Sequence, residues 1–155
     1  MMFKIDFEKA YDHLNWGFLD SVQEQMNFPP KWRRWVMAIL SSARSSVLVN
    51  GSPSFEFQFE RGMRQGDPLS PFLFIIGMEA FSCIMKKAIE VNLFHWFISP
   101  NEGPTKSHLL FADDALILGE WSSINVLNLA RLLRCFHLVS GLKINYANLF
   151  FLGWA

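Results

Sequence analysis

The sequence carries no net charge: its fourteen lysines and arginines are matched by fourteen aspartates and glutamates. A neutral chain has no global electrostatic pull on nucleic acid, so any such pull has to be local. It has only two cysteines, Cys83 and Cys135, with no CxxC spacing and no histidine cluster beside them. Both fall inside expected helices, so buried free thiols in a reducing compartment are the expectation. No apolar run spans a bilayer; the longest, Phe72–Met78, is too short and is followed by Glu79. The N-terminus has no apolar stretch of the signal-peptide kind. There is no internal repeat and no low-complexity tract. These absences leave a soluble intracellular chain as the expectation. What is present is a globular composition, 51% hydrophobic and 15% aromatic, at the length of one ordinary domain.

Periodicity sketches the elements. Met2–Ile5 reads as a short strand ending at Asp6, and Phe18, Leu19, Val22 and Met26 follow at helical spacing. Pro29-Pro30 stops that helix and supplies a first-turn proline for the next. There Trp32, Trp35, Val36, Ile39 and Leu40 form one stripe, with Lys31, Arg33 and Arg34 off it on a solvated face. Ser46–Asn50 and Phe55–Glu60 flank Asn50-Gly51-Ser52-Pro53, and Phe55, Phe57 and Phe59 alternate with polar residues. That predicts a hairpin with one buried and one wet face. Arg61–Pro71 is a loop by its glycines and prolines, with Ser70 placed to cap a buried helix. Leu93–Ile98 reads as a strand and Ser99–Lys106 as a turn region. A helix starts at Ser122-Ser123 and stops at Gly141, and two short strands follow at Lys143–Asn145 and Leu149–Leu152. Hairpins mixed with helices predict an α+β domain, an antiparallel sheet with helices on one face.

Leu109–Leu118 contains the most informative pair. Two apolar runs flank Asp113 and Asp114, which suggests a hairpin with both carboxylates at its tip. In a strand interior they would point to opposite faces, whereas at a turn both reach one spot. Two adjacent like charges need solvent or a cation, and hard divalent cations prefer oxygen ligands. Aspartate is also a common turn residue, so a solvated turn fits the pair as well.

Four blocks, taken together, resemble the palm of reverse transcriptases of the non-LTR, LINE-type retrotransposon kind, plant-like members especially. They are Phe3-Lys4-Ile5-Asp6-Phe7-Glu8-Lys9-Ala10-Tyr11-Asp12, the stretch Arg61–Phe74, Phe111-Ala112-Asp113-Asp114, and Gly141-Leu142-Lys143-Ile144-Asn145. The resemblance implies a polymerase palm with a ferredoxin-like core and a fingers-derived hairpin. It implies RNA-directed DNA synthesis from deoxynucleoside triphosphates on an RNA template and DNA primer, with two magnesium ions or manganese in their place. Asp6, Asp113 and Asp114 would be the metal ligands, and Phe7, Tyr11, Gln65 and Gly66 would meet the incoming nucleotide. Phe7 would do so through its carbonyl, and Tyr11 by excluding a 2′-hydroxyl; a core-packed Tyr11 is the structural alternative. Arg64 faces either triphosphate or template, and Lys143 is left outside the catalytic set. Asn148 and Leu149 depart from the family's continuation of the fourth block. The resemblance casts residues 1–155 as one fragment, palm with part of the fingers, lacking the remaining fingers and the thumb. A second reading is a non-catalytic retroelement remnant that keeps the palm fold. An RNA-templated RNA polymerase is a third, disfavoured by Tyr11 and by the Arg61–Phe74 block.

Overall fold

Strand β1 (Met2–Glu8) organises the sheet because its alternate residues divide between two environments. Ile5 and Phe7 are buried, whereas Lys4, Asp6 and Glu8 reach solvent. The computed structural model describes residues 1–96, 107–145 and 150–152. Antiparallel to β1 runs β7 (Asp114–Leu118), with Asp6 opposite Asp114 and Met2 opposite Leu118. Outside β7 lies β6 (His108–Phe111). The other edge of β1 takes β8 (Lys143–Ile144) beside Phe7 and Glu8, and β9 (Phe150–Leu152) beside Met2–Lys4.

Two long helices, α4 (Ser70–Glu90) and α5 (Ser123–Ser140), cover the face that carries Ile5, Phe7, Ala115 and Ile117. Their seam is aromatic. Phe7 stands edge-on to Phe81 of α4 at 6.4 Å and to Phe136 of α5 at 6.0 Å, and Phe81 and Phe136 lie 5.2 Å apart. The one-turn α1 (Ala10–His13) follows β1; α2 (Trp16–Gln25) packs on α4, and α3 (Pro30–Ser41) packs on α2. This is the expected α+β arrangement. The two long helices lie on one face of the sheet, and on the other Lys4, Asp6 and Glu8 reach solvent.

Local signals explain the boundaries. Asn15 accepts the Phe18 amide at 2.9 Å and opens α2, and Ser122 accepts the Asn125 amide at 3.2 Å and opens α5. Pro30 begins α3 behind Pro29, as the proline pair predicts. Gly141 ends α5 at φ 80°, where an added Cβ would collide with the His13 carbonyl. Ser70 departs from its expected role by one position: it is the first helical residue, and its hydroxyl donates to the Arg64 carbonyl at 2.8 Å. Asp67 instead accepts the Leu69 amide at 2.8 Å.

Five other expectations are corrected. Leu93–Trp96 is an irregular bend rather than strand, while the rest of that stretch and Ser99–Lys106 lie outside the described residues. Its backbone is held by side chains from α5: Asn125 accepts the His95 amide at 2.9 Å and donates to its carbonyl at 2.7 Å, and Asn128 donates to the Leu93 carbonyl at 2.8 Å. The hairpin forms in two pieces, with β2 (Arg44–Ser45) on β5 (Phe57–Gln58) and β3 (Leu48–Val49) on β4 (Ser52–Pro53). The register slips by one residue between them. No face of it is buried, and Phe55 is 83% exposed. On α3 only Val36 and Leu40 of the stripe are buried, and Arg33 is an inter-helix clamp on Asp20 (2.6 and 2.8 Å) and Glu24 (2.6 Å). Hydrogen bonding to Arg33 lowers the Asp20 pKa. Both cysteines are exposed.

His108 on β6 gives the sheet a pH dependence. Its ring lies between the Ser107 hydroxyl at 2.9 Å and the Ser82 hydroxyl at 3.1 Å, edge-on to Phe81. Burial, with Lys86 adding to it, pushes its pKa below the ordinary value, against a smaller opposite pull from Glu79. On acidification the unfolded chain therefore takes up this proton first. The stability due to the neutral ring is complete above the unfolded value of about 6.5 and is lost as pH falls from there through the folded value. Thermal melting followed between pH 8 and 5 should show Tm dropping on the acid side. His108→Gln should flatten that part of the curve.

Candidate active site

Register places the acidic residues before any chemistry is assumed. Directly opposed residues of antiparallel strands share a face, with Cβ atoms about 4.5–5.5 Å apart. Phe111 is opposite Asp114, Asp114 opposite Asp6, and the Asn145 amide donates to the Asp6 carbonyl at 2.9 Å. One row across the open face therefore reads Phe111, Asp114, Asp6, Asn145. The tip of the aspartate hairpin is Ala112-Asp113, and Asp114 is already the first residue of β7. The Asp113 carbonyl accepts the Phe7 amide at 3.3 Å, which ties the turn to the end of β1.

Two turns beside this row hold non-glycine residues at positive φ. Ala112 sits at 50° in the hairpin, and Lys9 at 44° where β1 passes into α1. Backbone of this kind persists only where surrounding contacts over-determine it, and it concentrates at functional sites.

The side chains of the row are engaged. Asn145 donates its amide to the Asp6 carboxylate at 3.1 Å, and the Lys4 ammonium lies 2.9 Å from an oxygen of Asp114. Lys4 is two residues before Asp6 and so shares its face, diagonal to Asp114. Hydrogen bonding and charge attraction to Asp114 raise the Lys4 pKa, with smaller contributions from Asp6 and Asp113. One step along the face, Lys143 lies 3.4 Å from Glu8.

Among the described residues no three of Asp, Glu, His or Cys stand in a ready-made metal-holding cluster. The donor set nevertheless suits a hard divalent cation. It is all oxygen and half-open to solvent, and one of its carboxylates, Asp114, already holds a cation, Lys4. Magnesium is commonly held by one or two carboxylates together with substrate phosphates and waters, without a closed protein cage.

The remaining expected residues lie around the β1–α1 turn. The Phe7 side chain is buried in the aromatic seam, so only its backbone is available to a ligand. Tyr11 is half-buried, its ring stacked on Phe74 at 5.0 Å, and its carbonyl accepts the Met63 amide at 2.6 Å. Gln65 donates to Asp12 at 3.3 Å. Gly66 has φ 84°, and a Cβ there would meet open space, so the turn requires the glycine and the chain leaves room in front of it. Asp12, Arg61, Arg64 and Asp67 line a cleft of about 130 Å³ between this loop and α3. Lys4 and Asn145 were assigned no role from sequence. Strand parity could have found Lys4; Asn145, 139 residues from its partner, needed the register.

The family model described as "Reverse transcriptase (RNA-dependent DNA polymerase)" matches residues 1–148. The chain belongs to the reverse transcriptase family. This member is 35% identical over 108 residues to an uncharacterized mitochondrial protein of Arabidopsis thaliana, covering 68% of this chain and 88% of that one. It is 26% identical over 142 residues to a Pol polyprotein of the type-1 retrotransposable element R2 from Popillia japonica, covering 91% of this chain but 19% of the polyprotein. Its relatives are thus non-LTR retrotransposon and plant mitochondrial proteins. Its fold matches apo telomerase from Candida tropicalis with a TM-score of 0.67 at 17% identity, over 96% of this chain and 30% of that one. Telomerase from Candida albicans, solved in complex with a fragment of telomeric RNA, matches with a TM-score of 0.59. Among the described residues no helix is long and apolar enough to cross a membrane.

Proposed function

We propose that the open face around Asp6 and Asp114 is the catalytic site for RNA-directed DNA synthesis. The observation that carries this is the pairing of Asp6 with Asp114, Asp113 at the adjoining turn, in a chain of the reverse transcriptase family. Asp6 and Asp113 would hold the divalent ions, magnesium or manganese, with Asp114 the more peripheral carboxylate. Such ions, when bound, lower the pKa of a primer 3′-hydroxyl and neutralise charge on departing pyrophosphate. The protein's share is positional. Asn145 orients Asp6, and the Phe7 amide fixes the Asp113 turn. The substrates in this reading are an RNA template, a DNA primer and deoxynucleoside triphosphates, in an intracellular setting.

Tyr11 is the proposed sugar gate, its ring braced by Phe74. Tyr11→Ala should raise ribonucleotide incorporation relative to deoxynucleotide by about 10–100-fold, the scale on which pocket sterics discriminate. Unchanged sugar selectivity in primer extension would remove that role.

The direct experiment is extension of a labelled DNA primer on RNA by the purified chain with Mg²⁺ or Mn²⁺. Extension supports the proposal. Its absence supports the second reading, a non-catalytic remnant keeping the palm fold. The chain spans 19% of the R2 polyprotein and 30% of the telomerase chain it matches.

A further inference from the structure

Asp6 and Asp114 are paired on one sheet face with Asp113 at the adjoining turn, and carboxylates so close repel each other unless a cation stands among them. In this chain the cation is built in. Lys4 projects from β1 on the face of Asp6, and its ammonium lies 2.9 Å from Asp114 Oδ2. The pair is half-open to water, 51% and 38% exposed at the side chains, and an ion pair that exposed adds little to stability. Its position matters more than its strength, because the oxygen it occupies belongs to a carboxylate proposed to hold metal. An ammonium and a divalent ion cannot both take that oxygen at contact distance without strong mutual repulsion.

We propose that Lys4 is a resident counter-cation of the carboxylate face, a positioning residue that holds Asp114 until a divalent ion displaces it. Lys4 and the ion are competitors, so the metal-free face stays ordered at the expense of metal affinity. The flexible four-carbon stem lets the ammonium swing away without disturbing β1. The inference rests on the metal-site reading of the face.

The test is Mn²⁺ binding by the full chain at low ionic strength, followed through the paramagnetic resonance of free Mn²⁺ and requiring no catalysis. Lys4→Met should bind Mn²⁺ about tenfold more tightly than the natural chain. That is roughly the effect of removing one positive charge about 6 Å from a divalent ion in a water-like dielectric. Lys4→Arg, which keeps the charge, should bind like the natural chain, and Lys4→Gln should follow Lys4→Met. Asp6→Asn should abolish binding in every background, which fixes the signal to this face. Equal affinity in Lys4→Met, Lys4→Gln and the natural chain, with Asp6→Asn still abolishing binding, overturns the counter-cation role and leaves the metal site standing. Weaker binding in Lys4→Met overturns it too, since Lys4 would then support the site instead of competing. Binding indifferent to Asp6→Asn, or no binding in any variant, removes the metal reading and this inference with it.

Discussion

Asp113→Ala should abolish primer extension on RNA, lowering the rate by about 10³-fold or more. The magnitude follows from what a metal does at such a centre. Charge stabilisation by a bound divalent ion is worth several kcal/mol, and each ~1.36 kcal/mol is a factor of ten in rate. Fold stability should change little, because Asp113 sits at a hairpin tip and meets β1 through its backbone carbonyl, which alanine keeps. The same variant should lose Mn²⁺ binding. Activity within a few-fold of the natural chain, measured on protein with an unchanged melting curve, would remove Asp113 from the site. Asp114→Ala should be milder, since Lys4 already shares that carboxylate and it is the peripheral ligand of the proposed set.

The largest stability effect is expected from Phe136→Ala. Phe136 is fully buried and meets Phe7, Phe18 and Phe81 at ring distances of 6.0, 5.9 and 5.2 Å. Truncating a buried phenylalanine costs about 3–5 kcal/mol, a large share of the ~5–15 kcal/mol that holds a domain together. Denaturant titration should show the midpoint falling with the slope unchanged. The site should suffer with the fold. Phe7 follows Asp6 directly, and a ring released from the seam no longer holds the end of β1 against the helices. Phe136→Leu should restore part of both losses. A loss below about 1 kcal/mol would mean that the aromatic seam is not what fastens the helices to the sheet.

Much of this architecture was legible because the deciding signals are local. The proline pair at Pro29-Pro30, Gly141 after an apolar stripe, and the mirrored runs around Asp113 each determine their own neighbourhood. Burial was less legible. The stripe of Trp32, Trp35 and Ile39 and the alternation of Phe55, Phe57 and Phe59 state that a face is apolar, not what covers it. Those residues stay exposed. Leu93–Trp96 looked like strand because its composition suits one. Asn125 and Asn128 instead supply from a helix the backbone partners that a neighbouring strand would have given. Periodicity does not report such bonds.

The site was legible to a different depth. Asp113 and Asp114 stood out by residue type and Asp6 by the family resemblance, and the inferred adjacency of their strands is present as a direct cross-strand pair. The Asp6 side-chain bond to Asn145 depends on β8 lying beside β1, a fact of topology. The Lys4–Asp114 contact depends on the diagonal offset between β1 and β7, a fact of register. Neither relation is printed in a one-dimensional pattern.

The most direct test of the central claim is anomalous diffraction from crystals of the chain soaked in Mn²⁺. An anomalous peak is expected on the open face within ligand distance of Asp6 and Asp113, with the Lys4 ammonium moved off Asp114. Manganese elsewhere, with the Lys4–Asp114 pair intact at its 2.9 Å contact, would contradict it.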